Sequence, residues 1–240
     1  IVWSAAEGRA YALDFRERAP SGADPRNYLD ANGAIDPERS VHGCLAIGVP
    51  GEIAGLTAMH ARFGKLSWER VVVPAQRLAA DGWRVTPYLA GAIRSEREHL
   101  ASSPELAAVL LPEAATEPDT LHDPELANTL ALIARHGRKA FYEGEVAAAI
   151  EAACRDVEGA VRASDLRDYT VVWRQPIVHT YHGYDVVGMP PPSSGGALIA
   201  EALNVLEPAS IDRRGPGGAL SYHLLAEAMK HGFADRASSF

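Results

Sequence analysis

Tyr184-Asp185-Val186-Val187-Gly188-Met189-Pro190-Pro191-Pro192-Ser193-Ser194-Gly195-Gly196 joins a β-type run to a helical one through a stiff segment. Consecutive prolines hold φ near about −65° and lack backbone donors, so residues 190–192 fit neither a helix interior nor a central strand. The two serines and two glycines after them have the composition of a tight turn and a helix start, and Ala197 to Leu206 reads as helix. A rigid segment, then a flexible one, between strand and helix is a common place for functional loops.

Working outward, Pro216-Gly217-Gly218 leads into a last helix from Leu220 to Ala237. Upstream, Val171 to Tyr181 and Tyr184 to Val187 read as strands with His182-Gly183 as the hairpin turn. Ser164 opens a short helical turn, and Ala140 to Cys154 reads as one alanine-rich helix. Asp123-Pro124 starts a helix with Leu126, Leu130 and Ile133 inward, ended by Gly137; Thr86-Pro87 starts another through Leu100. Ser67 partially caps a helix whose apolar face is Trp68, Val71, Val72, Ala75 and Leu78, closed by Asp81-Gly82. Gly51 opens a helix with Ile53, Leu56, Met59 and Phe63 at helical spacing, stopped by Gly64. A long polar loop precedes it, and Val2-Trp3 with Tyr11–Phe15 reads as a hairpin around Glu7-Gly8. The pattern is α+β, helix-rich in the middle, with strands near both ends that need partners beyond this segment. Ile1-Val2-Trp3-Ser4 reads as mid-domain strand and the tail Ala237-Ser238-Ser239-Phe240 follows a helix without a closing cap, so the chain reads as part of something longer.

The 240 residues carry 47% hydrophobic and 22% charged side chains, ordinary for a globular protein with a sizeable core. A formal net charge of −8 argues against nucleic acid or an anionic membrane as partner. No window approaches the ~18 apolar residues of a transmembrane helix. Cys44 and Cys154 form no CxxC pair and read most simply as small core residues, with a disulfide the minor alternative, so cysteine leaves the compartment unread.

Ser193-Ser194 has the wrong context for a nucleophile elbow, lacking G-x-S-x-G, and reads better as a helix cap. His179 and His182, three apart on a strand, face opposite ways and do not converge on a metal. His223, Glu227, His231 and Asp235 recur every four residues on a helix, where each step drifts about 40°, so salt-bridge pairing is the better reading. Gly48-Val49-Pro50-Gly51-Glu52-Ile53-Ala54-Gly55 lacks phosphate-loop spacing and reads as a close-packed turn, with Gly51 and Gly55 letting the helix approach a strand. Arg16 is set apart. Asp14-Phe15-Arg16-Glu17 puts a guanidinium at a strand end between two carboxylates, oriented to grip a substrate carboxylate or held in a structural ion pair.

Ala12-Leu13-Asp14-Phe15-Arg16-Glu17, Gly48-Val49-Pro50-Gly51 with Ala54-Gly55, Phe63-Gly64-Lys65-Leu66, and Pro74-Ala75 with Leu78-Ala79 and Gly82 occur in a fixed order. Phe141-Tyr142 with Gly144, Asp165-Leu166 with Tyr169, Tyr181 with Gly183-Tyr184, Met189–Gly196, Ala226-Glu227-Ala228 with Lys230, and Ala234-Asp235-Arg236 continue it. Together these landmarks resemble the γ-glutamyltranspeptidases, also called glutathione hydrolases. The resemblance implies an N-terminal-nucleophile hydrolase of αββα architecture, made as a precursor that cleaves itself into large and small subunits. In it, a threonine at the new N-terminus attacks γ-glutamyl amides with its own α-amine as base, and the acyl-enzyme passes to water or to an acceptor amine. Residues 1–240 would be the later portion of the large subunit, without the opening segment or the small subunit.

The resemblance carries one substrate-binding residue onto this sequence, Arg16, as the grip on the α-carboxylate of the γ-glutamyl group. Arg18 and Glu52 depart from the common pattern without breaking it. The expected partners are a small γ-glutamyl substrate and the chain's own small subunit, with no cofactor, no metal, no nucleic acid and no membrane span. Residues 1–240 alone should be inactive, since no residue in them serves as the nucleophile. The family's usual periplasmic or secreted location is a further implication. The rivals are a related acylase or amidohydrolase, such as one acting on cephalosporins, and a scaffold without catalysis.

Overall fold

The computed structural model describes residues 1–111, 120–209, 211 and 217–239. Pro216, the start of the expected turn before the last helix, and Phe240 lie outside them. In chain order the elements are β1 (Val2–Ser4), β2 (Arg9–Asp14), α1 (Glu52–Phe63), α2 (Trp68–Asp81), β3 (Trp83–Arg84), α3 (Pro87–Ser95), α4 (Arg97–Ala101), α5 (Pro104–Leu110), β4 (Thr120–Leu121), α6 (Pro124–His136), α7 (Arg138–Tyr142), α8 (Glu145–Ala153), α9 (Ala163–Arg167), β5 (Val172–Arg174), β6 (Ile177–Tyr181), β7 (Tyr184–Gly188), α10 (Gly195–Leu206) and α11 (Ala219–Ser239). Three short 3-10 turns, Pro25–Tyr28, Pro37–Ser40 and Cys44–Ala46, punctuate the loop before α1. The class is α+β, as the pattern predicts.

The elements form two units, residues 1–15 with those from Val171 onward, and residues 16–170. In the first, the expected N-terminal hairpin pairs β1 with β2, Val2 opposite Tyr11, and β5 extends it with Leu13 opposite Trp173. Tyr11, Ala12 and Leu13 are buried in this sheet. The single strand expected over Val171–Tyr181 is two, because Pro176 lacks the N–H a continuous ladder requires. β6 and β7 form the predicted hairpin, and both turn residues lie in the left-handed region, His182 at φ 48° and Gly183 at φ 80°. That is what a two-residue turn needs to match strand twist. Past the prolines the chain folds back so closely that a Cβ on Gly188 would lie 2.6 Å from Gly196 Cα, and one on Gly196 would strike Met189 O. The glycines of the opening stretch are thus where α10 meets the end of β7.

In the second unit, α2 and α6 pack against each other and α7 sits among α1, α6, α8 and α9. Tyr142 and Leu166 are fully buried at its centre. Two expected helices are broken: Glu96 interrupts residues 87–100, and Glu143-Gly144 divide the helix expected over Ala140–Cys154. The apolar faces also shift. α2 buries Val72 and Ala79 while Val71 and Leu78 are exposed, and α6 buries Ala127, Ile133 and Ala134 while Leu126 is exposed. Gly55 is buried on α1, which packs against the helix α7.

Cys44 and Cys154 are joined in a disulfide across a sequence separation of 110 residues, which corrects their reading as separate core thiols. It ties the turn Cys44–Ala46 to the C-cap of α8.

Candidate functional site

The loop from Arg16 to Pro50 leaves and returns through one antiparallel contact. Arg18 and Val49 exchange both backbone hydrogen bonds, N–H to O at 3.2 and 2.7 Å. Its Ile35, Val41 and Ile47 are exposed, so apolar packing does little to hold it down, and hydrogen bonds tie it to residues 154–170. The Tyr169 hydroxyl donates to Arg16 O at 2.8 Å, Arg18 Nη2 to Thr170 O at 2.8 Å, Ser21 N–H to Asp165 Oδ1 at 3.1 Å, and Asn27 Nδ2 to Glu158 O at 3.3 Å. The disulfide completes the row.

Arg16 stands at the first foot of this loop. Its side chain is 58% exposed and its Nε lies 3.4 Å from Glu17 Oε1, the carboxylate after it in sequence. Asp14, expected to flank it, is engaged by Arg174 at 2.8 Å. An exposed guanidinium on a fixed backbone can meet a carboxylate with two parallel N–H donors.

Behind the feet lie two residues whose roles the sequence did not disclose. Tyr142 is fully buried and Tyr169 is 3% exposed, and their rings stack with centroids 5.9 Å apart. The Tyr142 hydroxyl donates to Pro50 O at 2.8 Å and accepts from Ala54 N–H at 3.2 Å. Burial pushes that hydroxyl's pKa upward, so it stays a donor. Guanidinium groups close the stack, Arg18 over Tyr169 and Arg138 over Tyr142 at 5.1 and 4.7 Å. Arg18 is thus engaged on this loop by its backbone, its ring contact and its bond to Thr170 O. The signal available for both tyrosines was their place in the ordered landmarks.

The remaining candidates do not form a reactive centre. Ser194 holds the N-cap position of α10 without a side-chain cap, and Ser193 Oγ accepts from Gly195 N–H at 3.4 Å, so the expected capping is weak and comes from Ser193. His179 lies on β6, but His182 lies in the turn after it and not on the strand, so the opposite-face argument does not apply to the pair; His179 Nε2 is buried without a partner among the described residues. On α11, Glu227 of the row that recurs every four residues pairs with Lys230, a residue outside it, at 2.8 Å. A cleft of about 500 Å³ between α6, α7 and α8 is lined by Leu132, His136, Lys139 and Glu143, and Arg16 is not part of it. No group of His, Cys, Asp and Glu that could hold a metal occurs among the described residues.

The family described as Gamma-glutamyltranspeptidase matches residues 1–240. The chain belongs to that family. The glutathione hydrolase proenzyme of Escherichia coli (strain K12) is 36% identical over 95% of this chain and 40% of its own length. The acylase ACY 1 proenzyme of Pseudomonas sp. (strain V22) is 39% identical over 97% of this chain and 43% of its own. Among solved structures, Helicobacter pylori gamma-glutamyltranspeptidase matches with a TM-score of 0.93 and 36% identity, covering 98% of this chain and 68% of that one. The fold is therefore that of the γ-glutamyltranspeptidases and their acylase relatives. The chain spans about two-fifths of the length of the curated relatives it matches.

Proposed function

We propose that residues 1–240 are the later portion of the large subunit of an enzyme that hydrolyses or transfers γ-glutamyl groups of glutathione and related amides. In this reading Arg16 grips the α-carboxylate of the γ-glutamyl donor. The nucleophilic threonine comes from a small subunit, cut from the same precursor, and uses its own α-amine as base. The observation that carries the proposal is the likeness to the Helicobacter pylori enzyme over nearly the whole chain, joined to an accessible guanidinium at Arg16. The proenzyme names of the relatives support processing from a precursor. On α11, Tyr222, Leu225, Met229 and Phe233 form an exposed apolar stripe, which supports a covering partner such as the small subunit. The disulfide supports an oxidising, periplasmic or secreted location. No helix among the described residues is long and apolar enough to cross a membrane.

The acylase name of the Pseudomonas relative, with the likeness to the cephalosporin acylase from Bacillus halodurans (TM-score 0.77, 25% identity), favours one alternative, an acylase acting on a cephalosporin-type amide. Both readings are tested by assaying the complete processed enzyme on L-γ-glutamyl-4-nitroanilide and on a cephalosporin side-chain amide, with residues 1–240 alone as control. Preference for the γ-glutamyl donor and an inactive control are expected. Preference for the cephalosporin amide would transfer the function to the acylase reading, and turnover by residues 1–240 alone would refute the missing nucleophile.

A further inference from the structure

We propose that Tyr169 is a positioning residue for the substrate grip, setting Arg16 through its backbone without touching substrate; the inference rests on the Arg16 reading above. Arg16 meets a carboxylate productively only if its Cα is fixed, because a long flexible side chain on a loose backbone spreads its donors over many positions. The loop bearing Arg16 has little apolar anchorage of its own, so its backbone is fixed from behind.

The fixing group is a four-membered stack in the order Arg18, Tyr169, Tyr142, Arg138. Each tyrosine directs its hydroxyl to one foot of the loop, Tyr169 to Arg16 O and Tyr142 to Pro50 O, both at 2.8 Å. The rings have no freedom to follow a moving loop. They are buried face to face, and the Tyr169 backbone is pinned in turn by Arg138 Nη2, which donates to Tyr169 O at 2.7 Å. Arg18 clamps the near foot twice, with its guanidinium over the Tyr169 ring and its Nη2 on Thr170 O. A rigid aromatic with its hydroxyl on a carbonyl fixes that carbonyl at low entropic cost, since only two side-chain torsions are frozen. Position in this device is passed from the packed interior to the residue that faces the ligand.

A positioning role predicts a particular kinetic split. Tyr169→Phe keeps the ring and the stack but releases Arg16 O, so the loss falls on donor binding and not on the acyl-transfer chemistry supplied by the threonine. In the complete processed enzyme, with L-γ-glutamyl-4-nitroanilide as donor, KM should rise about five-fold, the loss of one hydrogen bond, while kcat stays within about two-fold. The same substitution in an Arg16→Ala background should change KM no further, because there is then no guanidinium to misplace. Arg18→Met, which strips the cap from the ring and leaves Tyr169 intact, should shift KM in the same direction and keeps the question open to test if Tyr169→Phe does not fold. Should Arg16→Ala raise KM while folded Tyr169→Phe and Arg18→Met leave it unchanged, the positioning role is overturned and the Arg16 grip stands. An undiminished effect of Tyr169→Phe in the Arg16→Ala background overturns the role as well. If Arg16→Ala itself leaves KM untouched, the grip reading falls first and the inference with it.

Discussion

Arg174 and Asp14 meet diagonally across the β2–β5 ladder, Nη2 2.8 Å from Oδ2, with the Asp14 side chain only 12% exposed. The pair locks the strand that runs out toward Arg16 to a strand 160 residues away in sequence. Because the carboxylate is largely withdrawn from water, its partner matters more than in an exposed pair. Arg174→Ala should lower unfolding stability by about 1–3 kcal/mol, and adding Asp14→Ala to it should cost less than the sum of the two. Denaturant unfolding of the complete enzyme measures this; strict additivity would show that the pair is not coupled.

Arg16→Ala should act on catalysis and leave folding intact, since the side chain is more than half exposed. Loss of a charge-assisted, two-donor contact should cost ~2–5 kcal/mol in kcat/KM for the γ-glutamyl donor. A near-native kcat/KM in the purified variant would remove Arg16 from substrate binding.

The Cys44–Cys154 bridge closes a large loop, so its removal should free a large denatured-state entropy. Cys44→Ala with Cys154→Ala, or reduction, should lower stability by about 3–5 kcal/mol. Unfolding curves with and without reductant should converge in the double variant and differ in the wild type.

Asp24 caps the turn Pro25–Tyr28 and is bonded by the Arg26 side chain and backbone, which lower its pKa from 3.8 to about 2. A carboxyl with a folded pKa below its unfolded one adds stability above the unfolded value and loses it as pH falls through the folded one. The Asp24 contribution should therefore be complete above about pH 4 and fade toward pH 2. Carboxyl NMR titration should place Asp24 near 2 in the wild type and at a higher value in Arg26→Met.

Gly196→Ala should be the most damaging small substitution in the opening stretch. The added methyl would strike Met189 O and approach Gly188 C to 3.0 Å, and both are backbone atoms that cannot swing aside. A loss of about 2 kcal/mol or more follows from such overpacking, read as a drop in Tm; an unchanged Tm would show that α10 can slide away from β7.

How much of this could be read in advance depended on range. Helix starts marked by a capping residue and proline were legible because the signal is local: Thr86 and Asp123 each accept a hydrogen bond from the backbone three residues on. Ser103-Pro104 carries the same signal and starts α5, which the sequence reading passed over. The turn at His182-Gly183 and the family landmarks were equally plain. Helix faces were harder. Periodicity finds an apolar stripe but not which side has a neighbour, so Val72 was rightly assigned to the core, while Val71 and Leu78 were assigned to it though exposed and Ala79 was missed. The interruption at Glu96 has no proline or glycine to announce it, whereas Gly144 did offer a hint. Contacts between distant residues were not legible at all. Nothing near Arg16 names Tyr169, 153 residues on, and two cysteines 110 apart give no geometry by which to pair them. For the site, residue type and motif singled out Arg16, while what holds it is visible only in three dimensions.

Five ties on residues 16–44, four hydrogen bonds and the disulfide, come from residues 154–170, and this sets a timetable for synthesis. The segment bearing Arg16 leaves the ribosome long before Tyr169, Asp165 or Cys154 exists to receive it. At ordinary elongation rates the 153 residues between Arg16 and Tyr169 take roughly 8–30 s to make. For that interval the nascent loop is open to other contacts, and Cys44 is a thiol until Cys154 follows 110 residues later, so the segment bearing Arg16 is made early and finished late.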